Sequence, residues 1–271
     1  MPAASVHTVN HEPTYARVRL NFSGFASGTT GLQVVRRDLD TGKSALVRGA
    51  RRITIVTPAS DAVQLYDYEF PAGHQVRYDY YQFPDTVAYQ AASAAAYDVD
   101  SVWLKHLTQP YLSRPVRVGT FTPYEHQLRG AATPAVRRSV PIGGGDVRGG
   151  RRFALRLKLT ADERDDLDNL LAVGGIWLYQ KPSADVGLPR SGYVQPTRAV
   201  ESTRGYAPDG GRWLDLTLDE VGAPDADLVA AATNWTAVTT TYATWTALGV
   251  AHASWNSVLS VVADPEEVTV T

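Results

Sequence analysis

The 271-residue chain has no cysteine. That removes disulfides, thiolate zinc sites and cysteine nucleophiles at once, and leaves the redox compartment open. No stretch approaches the roughly 20 apolar residues of a membrane-spanning helix. The first residues lack a basic start followed by an apolar run, so no signal peptide is expected and synthesis in the cytoplasm is the default. The sequons at Asn21 and Asn234 are then idle. Histidine is scarce, and His7 and His11 stand four apart without a carboxylate motif around them, which does not make a metal site. Acids are nowhere grouped as a catalytic pair, and no enzyme, metal or cofactor is expected.

What the chain does have is alternation. Val18, Leu20 and Phe22 alternate with Arg17, Arg19 and Asn21, the period of a strand with one buried face. A second strand follows at Leu32–Arg37, and Asp40-Thr-Gly42 turns it into a hairpin returning through Ala45–Val47. Ile53-Thr-Ile55 alternates again. In YDYEFPAGHQVRYDYYQF, Tyr66 to Phe83, Tyr66, Tyr68 and Phe70 run to a Pro71-Ala-Gly73 turn, and Val76, Tyr78 and Tyr80 come back. Short strands at this spacing predict an all-β sandwich. The glycine turn followed by Val-x-Tyr-x-Tyr resembles the late hairpin of a fibronectin type III or related immunoglobulin-like domain, in which a tyrosine can close a corner by bonding back to the chain. The alanine-rich Ala88–Ala96 has helical propensity but lies where a last strand should run, and the extended reading is preferred.

VWLKHLTQPYLSRPVRV, Val102 to Val118, separates this half from the next. Trp103 and Leu104 can anchor in a core while Lys105 and His106 stay wet, and Pro110 and Pro115 keep the flanks out of a central strand. The stretch reads as an ordered connector. Beyond it, Phe153, Leu155, Leu157 and Leu159 mark a strand, and Thr160-Ala-Asp-Glu163 is a capping box that starts a helix over 161–172. The acids in the first turns of that helix complement its dipole. Gly174-Gly175 ends the helix, and Ile176, Leu178, Tyr193-Val194 and Trp213–Leu218 supply further strands. The glycines of Ile142-Gly-Gly-Gly-Asp146 lack the Lys-Ser or Lys-Thr of a phosphate loop and open no helix, so they read as a turned loop. The loop Lys181–Arg190 projects.

The net charge of -2 conceals an asymmetry: residues 102–160 hold eleven basic and two acidic side chains, residues 161–271 six and sixteen. The arginines sit on strands and glycine-rich segments rather than on a recognition helix, which favours complementarity within a subunit or between neighbours over nucleic-acid binding. The tail carries a ten-residue repeat, Asn234-Trp-Thr-Ala-Val238, Thr244-Trp-Thr-Ala-Leu248 and Ser254-Trp-Asn-Ser-Val258. Each unit begins on a good N-cap directly before a tryptophan, which predicts three short capped helical turns. Aligned tryptophans could form a sugar-binding stripe, a partner surface or stacked core; packing against the body or a partner is preferred.

The sandwich ending in YDYEFPAG, the junction VWLKHLTQPYLSRPVRV and the Trp-repeat tail together resemble minor tail proteins of long-tailed phages infecting actinobacteria, in the distal tail protein role. The likeness covers most of the chain and is sharpest at the junction and the tail. It implies a virion tail-tip protein, and a hexameric ring between the tail tube protein above and the baseplate hub below, leaving a channel for DNA and the tape-measure protein. The ring domain would be the second half, a tail-tube-like β-sandwich or barrel with one packed helix. The first half would point outward, as an attachment point for host-binding proteins or a decoration, and cell-wall glycans are a further partner of the chain.

The fold class expected is therefore mainly β, with an arm at 1–14, an immunoglobulin-like sandwich at 15–101, a connector at 102–118, a ring-forming β domain at 119–227 and a Trp-repeat segment at 228–271. Trp103 and Arg114 are expected to hold the domain junction. Arg151, Arg152 and Arg156 would meet acidic residues of a neighbouring subunit, and Trp235, Trp245 and Trp255 would bind a neighbour. The alternatives are a carbohydrate-binding module using Trp and Tyr platforms on host glycans and, behind it, a cell-wall hydrolase, which would need a carboxylate or metal constellation.

Overall fold

The structure, a computed structural model, describes residues 6–84, 87–91, 93–126, 130–133, 142–145, 150–203 and 211–226. The Trp-repeat, with Trp235, Trp245 and Trp255, lies outside the described residues. Within them the chain is mainly β with one α-helix, as its alternating pattern predicts.

The first unit is a sandwich of nine strands: β1 (Val6–Glu12), β2 (Arg17–Ser23), β3 (Gly31–Asp38), β4 (Ser44–Leu46), β5 (Ile53–Thr54), β6 (Ala62–Asp67), β7 (Gln75–Phe83), β8 (Ala88–Gln90) and β9 (Ala95–Ala96). One sheet runs β1-β2-β6 and the other β4-β3-β7-β8, with β5 on β3 and β9 on β7. In chain order this sets first, second and fifth principal strands against the remainder, the arrangement of a fibronectin type III sandwich. Val18, Leu20 and Phe22 from one sheet and Leu32, Val34, Val76, Tyr78 and Tyr80 from the other fill one core. The alanine-rich stretch contributes β8 and β9, short strands on β7.

Three local expectations change here. Residues 1–14 are not simply an arm, because Val6–Glu12 forms β1 and pairs with β2 along its whole length. Tyr66–Phe70 and Val76–Tyr80 do not form a hairpin, because β6 pairs with β2 and β7 with β3 in opposite sheets. The chain crosses the core between them at Phe70, which is buried. Tyr78 does bond back across that crossing, its hydroxyl donating to Asp67 Oδ2 at 2.8 Å.

The second unit comprises β10 (Val102–His106), β11 (Arg114–Phe121), β12 (Glu125–His126), β13 (Gly130–Thr133), β14 (Ile142–Gly145), β15 (Arg151–Leu159), α1 (Ala161–Val173), β16 (Trp177–Gln180), β17 (Gly192–Thr203) and β18 (Arg212–Glu220). The sheet runs β11-β10-β16-β17-β18-β15, and β11 also pairs with β15, so six strands close into a barrel. Gly143–Gly145, expected in a loop, pair with β13 as part of a hairpin. Phe153, Leu155, Leu157 and Leu159 face the barrel core with Leu214, Leu216 and Leu218 from β18. Helix α1 begins on the expected capping box: the N–H of Thr160 donates to Glu163 at 2.8 Å, and the N–H of Glu163 returns to Thr160 Oγ1 at 3.4 Å. Its Leu167 and Leu170 join the barrel core.

The stretch expected to connect the units is instead built into the barrel. β10 is paired on both sides, with β11 and with β16. Pro115 is tolerated in β11 because the strand has β10 alone as neighbour at that point; pairing with β15 begins at Arg117. Pro110 opens a short 3-10 turn, where its missing N–H costs nothing.

Candidate functional site

All five residues of β10 are buried, and the strand serves two cores at once. Val102 and Leu104 point into the barrel cluster, whereas Trp103 packs in the sandwich cluster. Lys105, two residues on, faces the same way as Trp103. The expectation that Lys105 and His106 stay wet is overturned: they are 1% and 4% exposed. Burial is tolerated because each polar atom finds a partner. Lys105 Nζ donates to the carbonyls of Ala16 and Tyr68, the latter at 2.7 Å, and lies 5.1 Å from the Phe70 ring centroid. His106 Nε2 bonds the carbonyl of Gly174 at 2.8 Å and its Nδ1 receives the N–H of Gln109 at 3.0 Å, which fixes a neutral ring with the proton on Nε2. Burial also lowers the pKa of His106, in keeping with that neutral form.

Around Lys105 the sandwich contributes two ion pairs. Arg36 holds both oxygens of Asp67, at 2.7 and 2.9 Å, and Asp67 also accepts from Tyr78. Arg48 forks onto Glu69, which accepts from Tyr193 of the barrel at 2.6 Å. These two pairs are neutral by themselves, so a protonated Lys105 adds an uncompensated buried charge. Burial, its largest influence, pushes Lys105 down to about 7, and the pull of Asp67 and Glu69 offsets that only in part. As a neutral amine Lys105 has two N–H donors for its two carbonyls.

Two more ties cross the junction. Gln180 Nε2 donates to the carbonyl of Phe70 at 2.7 Å. The loop 181–190 projects as expected at its tip, where Val186 is 90% exposed, but is tied to the sandwich near its start: the N–H of Ser183 donates to Asp98 at 3.0 Å and its hydroxyl bonds the same carboxylate. Gly73, with φ at +78°, allows that approach, because a β-carbon there would collide with Ser183.

Of the residues expected at the junction, Trp103 lies in the sandwich core. Arg114 does not reach the sandwich; it binds Asp166 of α1 at 3.1 Å and the carbonyl of Tyr111 at 2.7 Å, tying β11 to the helix. Arg151, Arg152 and Arg156 form a ladder across β15 and β18 with Glu220, Asp219 and Asp215 of the same chain. The basic and acidic portions thus meet within one subunit, and the charge argument for closing a ring through these arginines loses its basis. His7 and His11 lie on one side of β1, roughly 13 Å apart by strand rise, too far to share a metal ion. Both face rings, His7 beside Tyr80 and His11 beside Phe70 and Tyr97.

Sequence reasoning missed one cluster. Ligand atoms of Asp38, Asp40 and His74 lie within 4.8 Å of one another. Each is already used to hold the β3–β4 turn and the start of β7: Asp38 Oδ1 accepts the N–H groups of Asp40 and Thr41, Asp38 Oδ2 meets His74, and Asp40 accepts the N–H of Gln75. The aspartates are explained as turn residues.

No protein-family model matches the sequence, and none of the curated proteins compared with it does.

Proposed function

We propose that the chain is a structural subunit of a phage tail tip, of the distal tail protein type, forming a ring that joins the tail tube to the baseplate or host-recognition apparatus and leaves a channel for DNA. The observation that supports this reading is the junction. Sandwich and barrel share β10, and the buried Lys105 amino group and Gln180 amide N–H bond across the junction to carbonyls of the sandwich, so the units meet at a fixed angle rather than through a linker. A fixed angle would set the outward-pointing sandwich in the same place on every copy around a ring of identical barrels.

In this reading the barrel is the ring-forming unit and the sandwich points outward. Partners are copies of the chain in a hexamer, the tail tube protein, the baseplate hub and the tape-measure protein. Because the β15 arginines are engaged within the chain, contacts between copies draw on other surfaces, with Trp235, Trp245 and Trp255 as the residues offered to a neighbour.

The test is the mass of the purified chain by light scattering, with negative-stain images of the same fraction, alone and mixed with tail tube protein. Rings of about six copies are expected. Replacing the three tail tryptophans by Ala should lower that mass while leaving the far-ultraviolet circular dichroism unchanged. A monomer under every condition would overturn the reading.

A further inference from the structure

The sandwich carries a surface that its own core does not explain. On the outward side of β1-β2-β6, strand register sets Glu12 beside Arg17, and Asn10, Arg19 and Tyr66 in one row. The Arg17 guanidinium lies 4.0 Å from the Tyr66 ring centroid and 4.6 Å from that of Tyr15, so it is held between two rings. Its Nε donates to Glu12 at 2.6 Å and its NH1 to the Tyr68 hydroxyl at 3.1 Å. Arg19 reaches the same Glu12 at 3.2 Å. Two guanidinium groups share one carboxylate, so the face keeps a positive excess. Tyr15 closes the end of the row and is 57% exposed.

The corner that presents Tyr15 is held in place. Ala16 has φ 46° and ψ 49°, a left-handed conformation that residues other than glycine adopt at a cost. Pro13 opens the turn before it, the N–H of Ala16 bonds the Pro13 carbonyl at 3.0 Å, and its own carbonyl accepts from buried Lys105. A strained residue fixed from beneath, between an exposed ring and a stacked arginine, marks a surface organised before any ligand arrives.

We propose that this face binds an acidic polysaccharide. The exposed Tyr15 ring and the half-buried Tyr66 beside it can take the apolar face of a sugar ring, and the guanidinium of Arg19, 39% exposed and engaged with Glu12 through one nitrogen, can take a carboxylate. The positive excess selects a chain bearing negative charge over a neutral one. The inference does not depend on ring formation.

The experiment is native electrophoresis of the full chain through gels containing polygalacturonate or, separately, dextran. Polygalacturonate should retard the chain, dextran should not, and salt should weaken the effect. Tyr66→Ala and Arg19→Gln should each weaken apparent affinity about tenfold, the loss of one charge-assisted or stacking contact. Tyr15→Ala, at an exposed position, should weaken binding with an unchanged melting temperature, which separates loss of the site from loss of the fold. No retardation by polygalacturonate, equal retardation by dextran, or variants that bind like the parent would overturn the proposal. So would variants that change only the oligomeric mass, which would assign the face to contacts between copies.

Discussion

Sandwich and barrel are each closed around an apolar core, but among the described residues only the sandwich buries whole ion pairs. Beside outward pairs such as Arg19 with Glu12 it holds two at the junction: the Arg36 and Asp67 side chains are 11% and 2% exposed, the Arg48 and Glu69 side chains 11% each, and both pairs lie around Lys105. In the barrel the pairs lie outside: Arg156 and Asp215 are 48% and 37% exposed on the wall formed by β15 and β18. The difference teaches where the molecule is sensitive. A buried pair that loses one member leaves a charge without water or partner, whereas an exposed pair that does so is rescued by solvent.

The largest expected effect is therefore at Asp67. Asp67→Ala strands Arg36 and the Tyr78 hydroxyl, and should cost roughly 3–5 kcal/mol in urea unfolding. Asp219→Ala, which breaks a barrel pair of the same chemistry, should leave the urea midpoint within experimental scatter. Equal losses at the two sites would break the contrast.

Next comes Lys105→Met, which keeps the volume and removes the donors to Ala16 and Tyr68, at about 2 kcal/mol. The same side chain gives the junction a pH dependence. Lys105 sits at about 7 in the fold against an ordinary value of 10.5, so between those limits the unfolded chain binds more protons. Stability should rise with pH from about 7 toward 10.5 and be indifferent to Lys105 below that window. Urea titrations at a series of pH values should show the rise in the parent and its loss in Lys105→Met; an unchanged slope in the variant would assign it to other groups.

The smallest effect per residue is expected from reversing Arg151, Arg152 and Arg156 together. Each faces a carboxylate of its own chain, so reversal sets like charges opposite one another and should weaken the barrel by about 0.2–1 kcal/mol per pair in a salt-dependent way, with no change of oligomeric mass. A fall in mass would return these arginines to the contact between subunits.

The comparison also shows what the residue pattern can carry. Strands with one apolar face were legible: Val18 to Phe22 and Phe153 to Leu159 are buried as their alternation predicts, and the capping box at Thr160 starts α1 where it should. β1 was not, because an edge strand turns His7, Val9 and His11 toward the core side, and two histidines do not read as an apolar face. Lys105 was not, because a lysine signals solvent unless the carbonyls that receive it are known, and those belong to Ala16 and Tyr68, distant in the chain. Arg114 and the β15 arginines have the composition of contact residues, but register alone decides which carboxylate each meets. The stacked face of Tyr15, Arg17 and Tyr66 depends on β2 pairing with β6, across a separation that no local pattern spans.

The central claim is that sandwich and barrel are one cooperative block joined through β10. Scanning calorimetry of the full chain beside Trp103→Ala tests it most directly. The parent should unfold in a single transition whose calorimetric and van't Hoff enthalpies agree, and the variant, which withdraws a barrel-strand side chain from the sandwich core, should lower that transition as a whole. Two separate transitions in the parent, with only the sandwich transition moving in Trp103→Ala, would contradict it.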